Sequence, residues 1–137
     1  MANDPLLQRA LSRIALATIA FAALTGAGAV MLGALAGHGL EETAARLARI
    51  ASHYALVHAA VLIGVALIFD RTRGWARHLM TLAIILFATG IIGFCGGLVF
   101  LAFEINAWGP QLGGMALITA WITLAAAAIC AFCTRQR

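Results

Sequence analysis

Leu79-Met-Thr-Leu-Ala-Ile-Ile-Leu-Phe-Ala-Thr-Gly-Ile-Ile-Gly-Phe-Cys-Gly-Gly-Leu-Val-Phe-Leu-Ala-Phe103 is a run of 25 residues without a single charge. A helix needs about 20 apolar residues to cross the hydrocarbon core of a bilayer. This run is long enough to cross, and it is bracketed by Arg77 and Glu104. Three more stretches read the same way: Ile14 to about Gly37, Tyr54 to Phe69, and Leu112 to Cys133. The 137-residue chain is 64% hydrophobic and 10% charged, with a mean hydropathy of +1.00. A soluble domain carries roughly 25% charged residues, and one of this size has nowhere to bury so much apolar surface. Backbone amides in lipid must be paired within their own segment, so each stretch is expected to be a helix. The expected fold is all-α, an integral membrane four-helix bundle forming one membrane domain over residues 1–137.

Arg9 and Arg13 ahead of the first stretch resemble the basic start of a signal peptide. The apolar part is longer than the 7–15 residues typical of one, so a retained first span is expected. The second stretch is short if it starts at Tyr54. The preceding residues are helical in character, with Glu42, Arg46, Arg49 and His53 recurring at helical spacing and Leu47, Ala51, Tyr54 and His58 forming a second stripe. No Gly or Pro falls between Leu40 and Leu62, so one helix is expected from about Glu41 to Phe69. Gly39 is the natural stop of the first span. Asp70–Gly74 and Asn106–Pro110 are the expected turns.

All nine cations are arginines. With four spans, Arg9, Arg13, Arg71, Arg73, Arg77, Arg135 and Arg137 fall on one side, and only Arg46 and Arg49 on the other. Short-loop arginine marks the cytoplasmic face, so both termini are expected in the cytoplasm of a cell whose inner membrane holds the protein. The net charge of +4 reflects this asymmetry. Dispersed arginines without a polar, aromatic-studded surface do not make a nucleic-acid footprint. Trp75 and Trp108 sit beside span ends as interfacial aromatics do. Trp121, near the middle of the fourth span, reads as a packing residue.

Gly26, Gly33 and Gly37 share a face of the first span, and Gly90, Gly93 and Gly97 a face of the third. Small residues at such spacing let helices approach closely in lipid, which makes Gly33, Gly37, Gly90, Gly93 and Gly97 the expected helix-packing positions. Ionisable groups within spans are costly and are candidates for function. His38, His53, His58 and Glu104 all read as lying toward the outer side. At 100° per residue Glu104 falls within about 20° of Gly93 and Gly97, so His58 and Glu104 are expected as neighbours in one polar cluster. That cluster reads as a hydrogen-bonded knot that fixes helix register. A proton- or solute-handling site and a metal or haem site through the histidines are the alternatives. Cys130 and Cys133 have redox or zinc-pair spacing, but they face a reducing compartment and have no second cysteine pair, so no metal is expected there. No catalytic constellation and no phosphate loop is present in the sequence.

Ala36-Gly37-His38-Gly39-Leu40, His53-Tyr54, His58-Ala59, Phe94-Cys95-Gly96-Gly97-Leu98 and Pro110-Gln111-Leu112-Gly113-Gly114 with Trp121 together resemble the YgdD/YwdK-like small membrane proteins. These are a bacterial domain of unknown function with small eukaryotic transmembrane relatives. The similarity runs from about Gly33 to Ala125. It implies a four-span integral membrane protein and carries no established activity. The function expected is non-enzymatic: an interaction, accessory or assembly subunit that works without a cofactor. Its expected partners are the lipid bilayer and another membrane protein or a second copy of the chain. A small solute or proton-linked transporter is the alternative, and a haem- or metal-binding redox subunit the second.

Overall fold

The computed structural model describes residues 11–105 and 109–135. Arg9, Arg137 and the Asn106–Trp108 part of the outer turn lie outside them, as does the side chain of Arg135. Four helices are long and apolar enough to cross a membrane, and no strand occurs among the described residues. They are α1 (Arg13–His38), α2 (Glu42–Phe69), α3 (Gly74–Ala102) and α4 (Gly109–Arg135). α2 is unbroken over 28 residues. At 1.5 Å per residue it is about 42 Å long, against a hydrocarbon core of about 30 Å. α3 contains one π-helical turn, Ile92–Gly96.

α1 packs on α2, α4 packs on α3, and the two hairpins meet through α2 and α3. What holds each hairpin is a repeat of seven. The buried face of α1 includes Ala15, Ala22, Ala29 and Ala36, each 4% exposed or less. On α2 the matching positions are Ala45, Ser52, Ala59 and Ala66, all buried. The Ser52 hydroxyl donates to the Ala29 carbonyl at 2.7 Å. In an antiparallel pair this bond sets a register that puts Ala36 opposite Ala45, Ala22 opposite Ala59 and Ala15 opposite Ala66. Arg49 donates to the Ala36 carbonyl at 3.5 Å near the outer end. A strict seven-residue repeat keeps one face of each helix toward its partner through a gentle left-handed supercoil. Side chains no larger than a methyl let the backbones come close enough for dispersion and a serine-to-carbonyl bond to hold them in lipid.

The second hairpin is built alike. Ala76, Ala83, Gly90 and Gly97 are buried along α3, and Gly113, Ala120 and Ala127 along α4. A Cβ on Gly93 would sit 3.1 Å from the Gly113 Cα, one on Gly90 would run into Leu117, and one on Gly97 into Pro110. The π turn lies against Gly109 and Gly113, where backbone meets backbone. Gly33 on α1 is also close-packed, against the Ser52 hydroxyl. Gly37, expected as a packing position, is not: a Cβ there would meet nothing within 4 Å, as at Gly26. α1 docks through its alanine face, and Gly37 lies off that face, exposed.

The inner ends are tied by Asp70, which closes α2. Its carboxylate accepts from the Ser12 amide at 2.7 Å, while the Ser12 hydroxyl caps α1 by accepting from the Ala15 amide at 3.3 Å. The Ser12 backbone and side-chain hydrogen bonds, helped by Arg77 at 3.6 Å, hold the Asp70 carboxyl below its ordinary value. A depressed folded-state value means that the tie is complete at neutral pH and is lost as pH falls through that lowered value.

The close glycine seam makes a contrast testable. Gly93→Leu is expected to cost at least about 1–3 kcal/mol by overpacking, read as a lower thermal midpoint in detergent micelles. Gly26→Leu, which points into open space, should leave the midpoint unchanged. Equal tolerance at both sites would overturn the seam as the source of cohesion.

Candidate functional site

His58 is the one histidine buried inside the bundle among the described residues, at 4% exposure. It lies 11 residues before Phe69, the last residue of α2. That is about 16 Å of helix, close to half of a hydrocarbon core of about 30 Å. Phe87 and Trp121 are near the middle of α3 and α4, so the three residues meet at one depth, close to the bilayer midplane.

The hydrogen bonds decide the chemical state of this imidazole. Its Nδ1 is 2.6 Å from the Tyr54 carbonyl one turn earlier. A carbonyl only accepts, so Nδ1 carries the proton. Trp121 Nε1 is 3.3 Å from His58 Nε2. An indole N–H only donates, so Nε2 offers its lone pair. His58 is therefore a neutral imidazole with both nitrogens engaged. A second proton, on Nε2, would set two donors face to face. Ring contacts hold the arrangement: Tyr54 stacks on His58 at 5.9 Å, His58 lies 5.7 Å from Phe87, and Phe87 meets Trp121 edge-on at 5.5 Å. The π turn brings Phe94 to 4.9 Å from Tyr54. Around this centre lies a groove of about 400 Å³ whose walls include His53, Tyr54, His58, Phe94 and Trp121.

The expected single cluster is divided in two. His53 and His58 line this groove, whereas His38 and Glu104 line a separate outer cleft of about 800 Å³ together with Glu41. His58 and Glu104 are not neighbours, for two physical reasons. Counted back from Phe69, a span of about 20 residues begins before Tyr54, so His58 sits about one helical turn deeper than its place in the 54–69 stretch suggests. The 100° rule also fails beyond Gly93, because the π turn changes the helix phase and α3 stops at Ala102. Glu104 instead ends the helix. It has φ +59, its amide donates to Leu101 and the Ile105 amide donates to Phe100, which is the pairing of a Schellman cap. A glutamate in this left-handed position, where glycine is usual, carries a strain of about 1–2 kcal/mol.

The remaining polar groups mostly fold back on their own helices. Thr18, Thr81, Thr89, Thr119 and Thr123 donate to carbonyls three or four residues earlier. Every buried side-chain nitrogen and oxygen among the described residues has a partner. No group of three His, Cys, Asp or Glu suited to a metal occurs among them. Cys95, Cys130 and Cys133 are free thiols. Trp121 is the site residue that sequence reasoning missed. Its signal was a lone indole at mid-span, since a Trp N–H in hydrocarbon requires an acceptor.

Four apolar helices with a satisfied polar centre define a polytopic helical membrane protein. Comparison with known families places it further. The family described as "Protein of unknown function (DUF423)" matches residues 32–116, and the chain belongs to that family. It is 36% identical over 110 residues to a UPF0382 membrane protein of Haemophilus influenzae, covering 75% of this chain and 86% of that protein. No solved structure matches. The family match includes His58 and Phe94 and stops before Trp121.

Trp121→Phe keeps the ring and removes the N–H, leaving a buried acceptor unpaired. It should lower stability by about 0.5–2 kcal/mol in thermal unfolding, while Ile122→Phe, on the lipid face, should not. An unchanged midpoint for Trp121→Phe would show that the indole–imidazole bond holds nothing.

Proposed function

We propose that the protein works by interaction: a non-enzymatic accessory or assembly subunit of the inner membrane that docks another transmembrane helix through α1. One observation carries this reading. α1 has two seven-residue alanine rows. Ala15, Ala22, Ala29 and Ala36 are buried against α2, but Ala20, Ala27 and Ala34, about 140° around the helix, are all exposed. Gly26 and Gly28 beside the second row have open space where a Cβ would stand. A row of the kind that joins α1 to α2 thus lies uncovered, and in lipid such rows join helices. The site at His58 fits this reading, because its polar atoms are closed within the protein.

The test separates the two rows. Native mass spectrometry after mild extraction should show a complex, with a second copy or with a stoichiometric partner. Ala27→Leu should abolish the complex without lowering thermal stability, whereas Ala29→Leu should lower stability. A wild-type protein that is monomeric and partnerless on extraction, or a complex indifferent to Ala27→Leu, would sink the proposal.

In this reading both termini face the cytoplasm. The support is the arginine bias, with Arg71, Arg73 and Arg77 in and beside the α2–α3 turn and Arg46 and Arg49 at the opposite end of α2. A reporter fused at the C-terminus should be active in the cytoplasm, and activity on the far side would reverse the orientation.

A further inference from the structure

The groove between α2 and α4 is not consumed by the docking surface on α1. It has four properties that together select a ligand. It opens sideways: Tyr54, Val57, Ile118 and Trp121 are each 43% or more exposed, and at this depth what they face is hydrocarbon. Among the described residues it is lined by no Arg, Asp or Glu, so whatever enters is uncharged at the end it buries. Phospholipid head groups are thereby excluded, both by charge and by depth. Its walls are rings, with Tyr54, His58, Phe94 and Trp121 presenting π surfaces, and flat rings stack on such surfaces. Its polar groups are few. The Trp121 N–H and both His58 nitrogens are engaged. The Tyr54 hydroxyl and the His53 ring make no hydrogen bond among the described residues, and both belong to the outer end of the groove. A volume of about 400 Å³ lies within the range of about 300–1,000 Å³ of small-molecule sites with aromatic walls and a few polar groups, and is too small for a helix about 10 Å across.

We propose that this groove binds the ring of a lipid-soluble quinone, entering from the bilayer. The ring stacks among Tyr54, Phe94 and Trp121. A ring carbonyl accepts from Tyr54 or His53, and the isoprenoid tail leaves through the side opening into lipid. A quinone combines what the groove asks for: neutrality, a planar ring, a hydrogen-bond acceptor and residence inside the membrane. The His58–Trp121 bond acts as the floor. It fixes the indole plane against which the ring lies, so His58 is a positioning residue.

The probe is decylubiquinone, and the reporter is Trp121 made the only indole by Trp75→Phe and Trp108→Phe. In micelles at fixed detergent the expected result is saturable quenching of Trp121 fluorescence, with a matching rise in thermal midpoint. Val57→Phe and Ile118→Phe enlarge exposed wall residues without touching the core. Each should weaken the apparent affinity by about tenfold or more, which is about 1.4 kcal/mol. Quenching that rises linearly with probe, as mere partition would give, would overturn the proposal. So would saturable quenching that neither substitution alters. Displacement by decane as effective as by a second quinone would show that the groove holds alkyl chains and not a ring, and would overturn it too.

Discussion

Close approach of helix backbones is the constraint from which the rest of this molecule follows. Lipid offers no hydrophobic drive to bring one apolar helix to another, so cohesion comes from dispersion at short range and from hydrogen bonds across the gap. Both need small side chains at the contact. The chain supplies them every seventh residue, as alanine and serine in α1 and α2 and as alanine and glycine in α3 and α4. Larger residues are displaced to the rims of these seams. There they either meet lipid or fill the space between the hairpins, where Leu62 and Phe87 are fully buried. The aromatic centre sits in the room that the two hairpins, each tight in itself, leave between them, alongside aliphatic residues such as Leu62 and Ile91.

Much of this was legible in the sequence, and the limits have physical causes. The four membrane-crossing helices follow from apolar run length, since a bilayer demands a fixed span whatever the side chains do. The continuity of α2 follows from the lack of Gly and Pro between Leu40 and Leu62. Gly93 and Gly97 were readable from their four-residue spacing on one face of a span, the pattern by which small residues let helices approach. The alanine rows were harder to see, because alanine is abundant throughout and only its burial separates Ala22 from Ala20. Gly37 was misread for the converse reason, as helical spacing places a residue on a face without saying whether a neighbour covers that face.

The site shows a different limit. The single cluster expected of His38, His53, His58 and Glu104 is two separate clefts. His58 and Glu104 were joined by extending one ideal helix through a π turn and past its end. A π turn adds a residue to one turn without altering composition, so it leaves almost no trace in the sequence beyond the glycines around it. Such turns recur at functional positions. Here the turn aims Phe94 at Tyr54 and presses the α3 backbone onto Gly113. One backbone irregularity thus shapes a wall of the groove and the tightest part of the second seam together.

Ser52 has a consequence of its own. A row of identical alanines every seven residues is a ruler with unmarked divisions. Sliding α1 along α2 by one division would bring like against like again and would change the contact little. Ser52 marks one division. Its hydroxyl reaches the Ala29 carbonyl, with Gly33 beside it leaving the room it needs. One division toward Ala36, Leu40 would stand where Gly33 leaves room; one division toward Ala22, Gly26 would offer a second notch, and there the Asp70–Ser12 tie at the inner ends opposes the slip. Two helices inserted one after the other into a membrane must still find their alignment there. One hydroxyl along the row and one carboxylate at its inner end convert that search among near-equivalent slippages into one with a preferred end.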